Sequence, residues 1–110
     1  MAKDQREVFT NLNNMIIRIF RVKIHPQMRE EFEAKFASIS ISAVNNAEGS
    51  ISVTMGMPTK WAPDEYAMIS HWQDENSLTV FAGENWSQPH IPQGMAKFVD
   101  KMWVHHFEGL

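Results

Sequence analysis

The stretch MIIRIFRVKI, residues 15–24, sets apolar side chains on both faces of an extended chain. Arg18, Phe20, Val22 and Ile24 fall on one side, and Ile17, Ile19, Arg21 and Lys23 on the other. A strand that is partly apolar on both faces must be covered on both, so it belongs in the middle of a sheet. The rest of the 110 residues has to be arranged around it. A chain of that length makes one domain with one modest core.

The elements that follow are read from changes in hydrophobic period. Pro26 opens a helix in which Met28, Phe32, Phe36, Ile39 and Ala43 recur at three- and four-residue steps, and Gly49 after NNAE closes it. From Ser50 the period becomes two, with Ile51, Val53, Met55 and Met57 on one face of a strand. PTKWAPDE is a Pro-rich turn and YAMISHW, residues 66–72, the returning strand, so residues 50–72 form an antiparallel hairpin. QDENSLTVFAG predicts a second helix with Asp74 as N-cap and Leu78 and Phe81 facing inward. QGMAKFVDK supplies a further helical turn, and MWVHHF, residues 102–107, a last strand. Strand, helix, strand, strand, helix, strand is the split βαβ, an α+β ferredoxin-like plan with a four-stranded antiparallel sheet. Its helices cover one sheet face. Ile17, Ile19, Met68, Trp72, Trp103 and Phe107 exceed what two short helices can bury, and such a surplus predicts a homodimer.

Composition excludes several function classes. A net charge of −3 without a basic patch argues against nucleic acid, because phosphates repel an acidic chain. There is no cysteine, which removes disulfides, thiolate metal sites and thiol catalysis. MAKDQREVFTNLNN lacks the apolar segment of a signal peptide and no run is long enough to span a bilayer, so the expectation is a cytoplasmic protein without membrane contact. Residues 1–14 read as a polar extension whose Val8, Phe9 and Leu12 can dock on a partner subunit, and residues 15–110 as the domain proper.

Candidate chemistry concentrates in ENWSQPHIP, residues 84–92, where a connecting loop carries Trp86, His90 and two prolines. His90 either faces a pocket or bonds a loop carbonyl, and the segment is either a pocket wall or a packed lid. Trp72 and Phe81 are core residues or substrate contacts, and Trp86 has the better claim to a pocket wall. Eight methionines fit adaptable core filling or a pliable pocket. His105 and His106 are adjacent on a strand, leave opposite faces and cannot clasp one ion, so no metal site is expected. Neither a G-x-S-x-G elbow nor a Gly-rich phosphate loop is present.

EYAMISHWQDENSLTVFAGENWSQPHIP resembles the antibiotic biosynthesis monooxygenase family, in which an aromatic-bearing strand ends in a polar turn followed by a helix with a buried aromatic and a downstream His. IIRIFRVKIHPQMREEFEAKF is similar to the family's first strand and helix, so the resemblance spans residues 15–107. It implies a dimeric α+β barrel with an apolar pocket between sheet and helices in each subunit. It also implies oxidation of an aromatic or quinol-like small molecule by O2 without metal or flavin. In that reading His90 is the base, Arg18 or Arg21 steadies the substrate anion, Asn85 or Trp86 orients the ring, and Phe20, Trp72, Phe81 and Trp86 contact it. A heme-degrading branch combines a first-strand Asn, a second-helix Trp and a His. Here Phe20 or Arg21, Phe81 and His90 stand at those places, which leaves heme binding through His90 as an alternative. A non-catalytic binder of a planar ligand is the other.

Overall fold

The computed structural model describes residues 15–89, 91 and 93–109. The proposed polar extension at 1–14 and the loop histidine His90 lie outside the described residues. Four strands, β1 (Ile16–Ile24), β2 (Ser50–Gly56), β3 (Glu65–Trp72) and β4 (Val99–Glu108), form one antiparallel sheet in the order β2-β3-β1-β4. β1 is central, as its two apolar faces require, and β2 and β3 are the expected hairpin. The result is the α+β ferredoxin-like split βαβ. No described helix is long and apolar enough to cross a membrane.

The first helix, α1, is one rod built from four segments. A 3-10 turn at Pro26–Met28 leads into α-helix Arg29–Lys35, a π-helical stretch Phe36–Ile41, and a final α-helical turn Ser42–Asn45. The π stretch changes which residues face the sheet. The three- and four-residue pattern puts Ile39 inward, but Ile39 is 38% exposed, whereas Ser40 is only 7% exposed. Wider turns carry the inward stripe through Phe32, Phe36, Ser40 and Val44, each four residues on, so a hydroxyl is turned toward the sheet where an isoleucine was expected. The second helix, α2 (Glu75–Ala82), is capped by Asp74, whose carboxylate accepts from the Ser77 N–H at 2.8 Å. A 3-10 turn, Ala96–Phe98, leads into β4.

The core beneath the helices has two parts. Val22, Ile24, Phe32, Phe36, Tyr66, Met95 and Phe98 pack at one end of the sheet, and Ile16, Val44, Trp72 and Leu78 at the other. Strand register corrects the expected far face. Trp72 lies opposite Ile16 and Met68 opposite Phe20, so both point toward the helices. On the far face remain Ile17, Ile19 and Ile69, with Trp103 opposite Arg21 and Phe107 opposite Ile17. Phe107 is 54% exposed there.

Gly49 joins α1 to β2 at φ 86°, and a Cβ built on it would stand 2.1 Å from Ser77 Oγ in the first turn of α2. Its carbonyl accepts from Gln73 N–H at 2.8 Å, so the approach is fixed from both sides. Gly49→Ala therefore combines a left-handed backbone with a steric overlap against α2. It should cost about 2 kcal/mol or more in denaturant unfolding, whereas Gly83→Ala, with open space at its Cβ, bears only the backbone part.

Candidate functional site

The two parts of the core are separated by a polar row across the helix side of the sheet. Ser70 on β3, Arg18 on β1 and His106 on β4 stand at one register level. Ser70 is fully buried, and its hydroxyl accepts from the Trp72 indole N–H at 2.9 Å, which leaves Trp72 satisfied inside the core. Arg18 is 4% exposed. Its Nη1 donates to the Trp86 carbonyl at 2.7 Å and lies 2.9 Å from His106 Nε2. Because a guanidinium only donates, His106 accepts through Nε2 and carries its proton on Nδ1. The Trp86 ring meets the His106 ring edge-on, with centroids 4.6 Å apart.

Charge in this row is not balanced by a carboxylate. Among the described residues, the ion pairs are Arg21–Glu65, Arg29–Asp64, Lys35–Glu31 and Lys97–Glu31, and none includes Arg18. Burial lowers the Arg18 pKa from its usual value, yet a guanidinium stays protonated at any ordinary pH. His106 is pushed down from 6.5 to about 4, first by desolvation, then by the neighbouring Arg18 cation and by His105. At neutral pH the pair is therefore one cation and one neutral imidazole.

A cavity of about 50 Å³ opens beside Arg18, with Phe20, Ser40, Met68, Phe81 and Met95 among its other walls. It exists because the polar row keeps the two halves of the core apart. Its volume suits a few waters, since a closed apolar cavity that holds benzene measures roughly 150 Å³. An aromatic ring enters only if the walls give. Met68 and Met95 are unbranched side chains that can do so.

The structure brings together some of the sequence-derived site residues and disperses others. Arg18, Phe20 and Phe81 line the cavity, and Trp86 reaches the site through its carbonyl and through His106. Arg21 is on the far face, where its Nε donates to Glu65 at 2.6 Å and its guanidinium stacks 4.7 Å from the Trp103 ring centre. Strand alternation places residues 18 and 21 on opposite sides, which removes Arg21 from this cavity. Trp72 is wholly buried in the core, its ring 4.9 Å from that of Phe81, and is no part of the described lining. Asn85 is exposed in the loop, where its carbonyl accepts from Gln88 N–H. Trp86 is thus packed against the core, and Ile91 stands in the cavity wall.

His106 and Ser40 were missed as site residues. For His106 the signal was present, since it is the β4 side chain that alternation turns toward an otherwise apolar face. For Ser40 no signal existed, because its orientation depends on the π stretch. Among the described residues no group of three or more His, Asp or Glu is disposed to hold a metal ion.

An antiparallel four-stranded sheet with helices on one face and an apolar cavity beneath them defines an α+β ferredoxin-like domain. The chain belongs to the antibiotic biosynthesis monooxygenase family, which matches residues 15–85. Among solved structures it is similar to a conserved protein from Methanosarcina mazei Go1, at 18% identity with a TM-score of 0.73, covering 93% of this chain and 99% of that one. It is also similar to a variant of SnoaB, a cofactor-independent oxygenase from Streptomyces nogalater, at 14% identity with a TM-score of 0.67, covering 87% and 93%. A third is Rv0793 from Mycobacterium tuberculosis, at 14% identity with a TM-score of 0.69, covering 87% and 95%. No curated protein matches the chain in sequence.

The depressed His106 pKa has a definite sign in stability. Between 6.5 and about 4 the unfolded chain binds a proton that the folded one does not, so stability is full above the upper value and is lost as pH falls through this window. Thermal melts should show Tm falling from pH 7 toward pH 4.5. In His106→Gln, which keeps an acceptor for Arg18 but cannot titrate, the fall over that interval should be visibly shallower.

Proposed function

We propose that this chain is a small-molecule oxygenase that takes an ionisable aromatic or quinol-like ring into the cavity beside Arg18 and oxidises it with O2, using neither metal nor flavin. The observation that carries this reading is a buried guanidinium, without a carboxylate partner among the described residues, at the wall of an apolar cavity. Family membership and the likeness in fold to a cofactor-independent oxygenase support the reaction class.

The chemistry follows from what such a wall supplies. A phenol gives an electron to O2 far more readily as its anion, so the ring oxygen must lose a proton and the resulting charge must be held. Arg18 faces that oxygen, with its charge undiminished by solvent. His90 is the proposed base. Phe20 and Phe81 hold the ring, Trp86 fixes Arg18 from behind, and the apolar walls keep water from the radical pair formed when the anion and O2 exchange an electron. Nothing in the described cavity favours heme. A porphyrin is far larger than about 50 Å³, and Phe81 is packed against Trp72 in the core.

The far face of the sheet is the proposed seat of a second copy. Ile17, Ile19, Ile69, Trp103 and Phe107 form an apolar surface that a face-to-face pair would cover, with Arg21 and Glu65 as a paired rim. Sedimentation at micromolar concentration should give a dimer, and Trp103→Glu a folded monomer. A native protein that sediments as a monomer removes this part.

Oxygen uptake with a panel of aromatic quinols tests the activity. His90→Ala and Arg18→Met should each lower turnover by about 10² or more, the range of acid-base and charge-stabilising groups. The fold should be retained by circular dichroism. If His90→Ala lowers Tm while activity per folded molecule is unchanged, His90 is a structural residue of the loop.

A further inference from the structure

Resting on the reading of this cavity as a ligand site, we propose that Arg18 and His106 together form a receptor for a single anionic oxygen, in which the anion displaces the Arg18–His106 hydrogen bond and His106 takes up one proton as the anion arrives. The ligand class is an apolar body carrying one ionised oxygen, a carboxylate or a phenolate.

Geometry supplies the argument. Arg18 Nη1 spends itself on two acceptors inside the protein, the Trp86 carbonyl at 2.7 Å and His106 Nε2 at 2.9 Å. The first bond fixes the guanidinium from the loop side. The second is a cation donating to a neutral imidazole, in a setting where burial disfavours charge on both groups. Every fully enclosed side-chain nitrogen or oxygen among the described residues has a partner, so Nε and Nη2, which have no hydrogen bond among the described residues, are not fully enclosed, and Arg18 itself lines the cavity. An anion placed there gains charge-assisted bonds from the guanidinium.

The anion also changes what His106 prefers. Two neighbours on the described elements lower the His106 pKa beyond the effect of burial, the Arg18 cation on β1 and His105 beside it on β4. From β3 the facing residue is Ser70 and from the loop Trp86, neither of which titrates near neutrality. Glu108, next on the same face of β4, is exposed. Once an anion offsets the Arg18 charge, the main electrostatic penalty on imidazolium is gone. Nε2 can then be protonated, which ends its role as acceptor and turns it into a second donor to the ligand. The bound state has Nη1–H and Nε2–H both directed at one oxygen. When an ionised ligand binds, the proton comes from solvent. When a carboxylic acid binds in its acid form, the ligand's O–H bond breaks and the same proton ends on Nε2. No electron moves in either case.

The test uses benzoate, its neutral counterpart benzyl alcohol, and acetate as an anion small enough for the cavity as it stands. Calorimetric titration of the full chain should show benzoate or acetate binding at least tenfold more tightly than benzyl alcohol. Affinity for the anion should rise about threefold or more from pH 7.5 to 5.5, an interval over which both carboxylates stay largely ionised. Titrations at pH 5.5 in two buffers of different ionisation enthalpy should reveal net proton uptake. Arg18→Met should abolish the preference for anions, and His106→Gln should keep some anion binding but lose the proton uptake. Equal binding of anion and alcohol overturns the proposal, and so does failure of both anions to bind to folded protein. Proton uptake that survives in His106→Gln overturns the role of His106. Because none of these titrations depends on O2, intact anion binding with no oxygen uptake would remove the oxygenase reading while leaving the receptor in place.

Discussion

The burial of one guanidinium governs the rest of this structure. Arg18 sits in the central strand with Ile16, Phe20, Val22 and Ile24 on the same face, all destined for the core. A cation there is tolerated only if its donors are met. The requirement recruits a carbonyl from a loop 68 residues away and an imidazole 88 residues away in sequence. Those two bonds pin the loop at Trp86 against the sheet and set β4 against β1 with His106 inward. They also divide the apolar core into two clusters, between which the cavity lies. An aliphatic residue at position 18 would make neither bond and would remove the charge, so the anchoring of the loop and the chemistry of the cavity have one origin.

Helix α1 makes a second accommodation to the same feature. Continuing the α-helical stripe would have pushed Ile39 toward Arg18. The π stretch instead turns in Ser40, which is smaller and polar, and lets Val44 resume packing with Trp72 and Leu78. The wider turn costs hydrogen-bond geometry, and such bulges are found disproportionately at functional sites. In this chain it supplies a hydroxyl to the cavity lining and leaves room where a branched side chain would have stood.

Most of the fold was legible because it rests on local signals. Asp74 before a helix, Gly49 at a positive φ, and the doubly apolar first strand each act over a few residues, and each reappears in the structure; the strand at residues 50–56 also forms, but a register shift between Ser50 and Ser52 breaks the period of two and leaves Ile51 exposed. The site was less legible because it depends on pairings across the chain. Trp72 was assigned to the wrong sheet face because alternation within one strand does not say which face it shares with the next. That is settled by register, Trp72 against Ile16. Arg18 and His106 each carried a visible anomaly, a polar residue on an apolar face, but only the alignment of β1 with β4 makes the two anomalies one feature. Ile39 and Ser40 exchanged places for a reason that no hydrophobic pattern contains.

The two arginines of β1 show what distinguishes a structural charge from an available one. Arg21 is half-exposed, is joined to Glu65 by two hydrogen bonds and lies over Trp103, so its pKa is raised, first by the carboxylate's hydrogen bond. Its field is cancelled within a few ångströms, and any anion approaching it competes with a carboxylate already in place. Arg18, three residues earlier on the opposite face, has neutral acceptors only among the described residues, and burial moves its pKa the other way. Neutral acceptors hold its Nη1 in place without cancelling its charge. The potential at the cavity wall therefore remains positive inside apolar surroundings, where a charge acts over a longer range than in water. A strand that alternates faces can thus use the same residue type in two ways, as a neutralised rim on the open face of the sheet and as a fixed positive pole on the covered one, and the difference lies in burial and in whether the hydrogen-bond partner carries a charge.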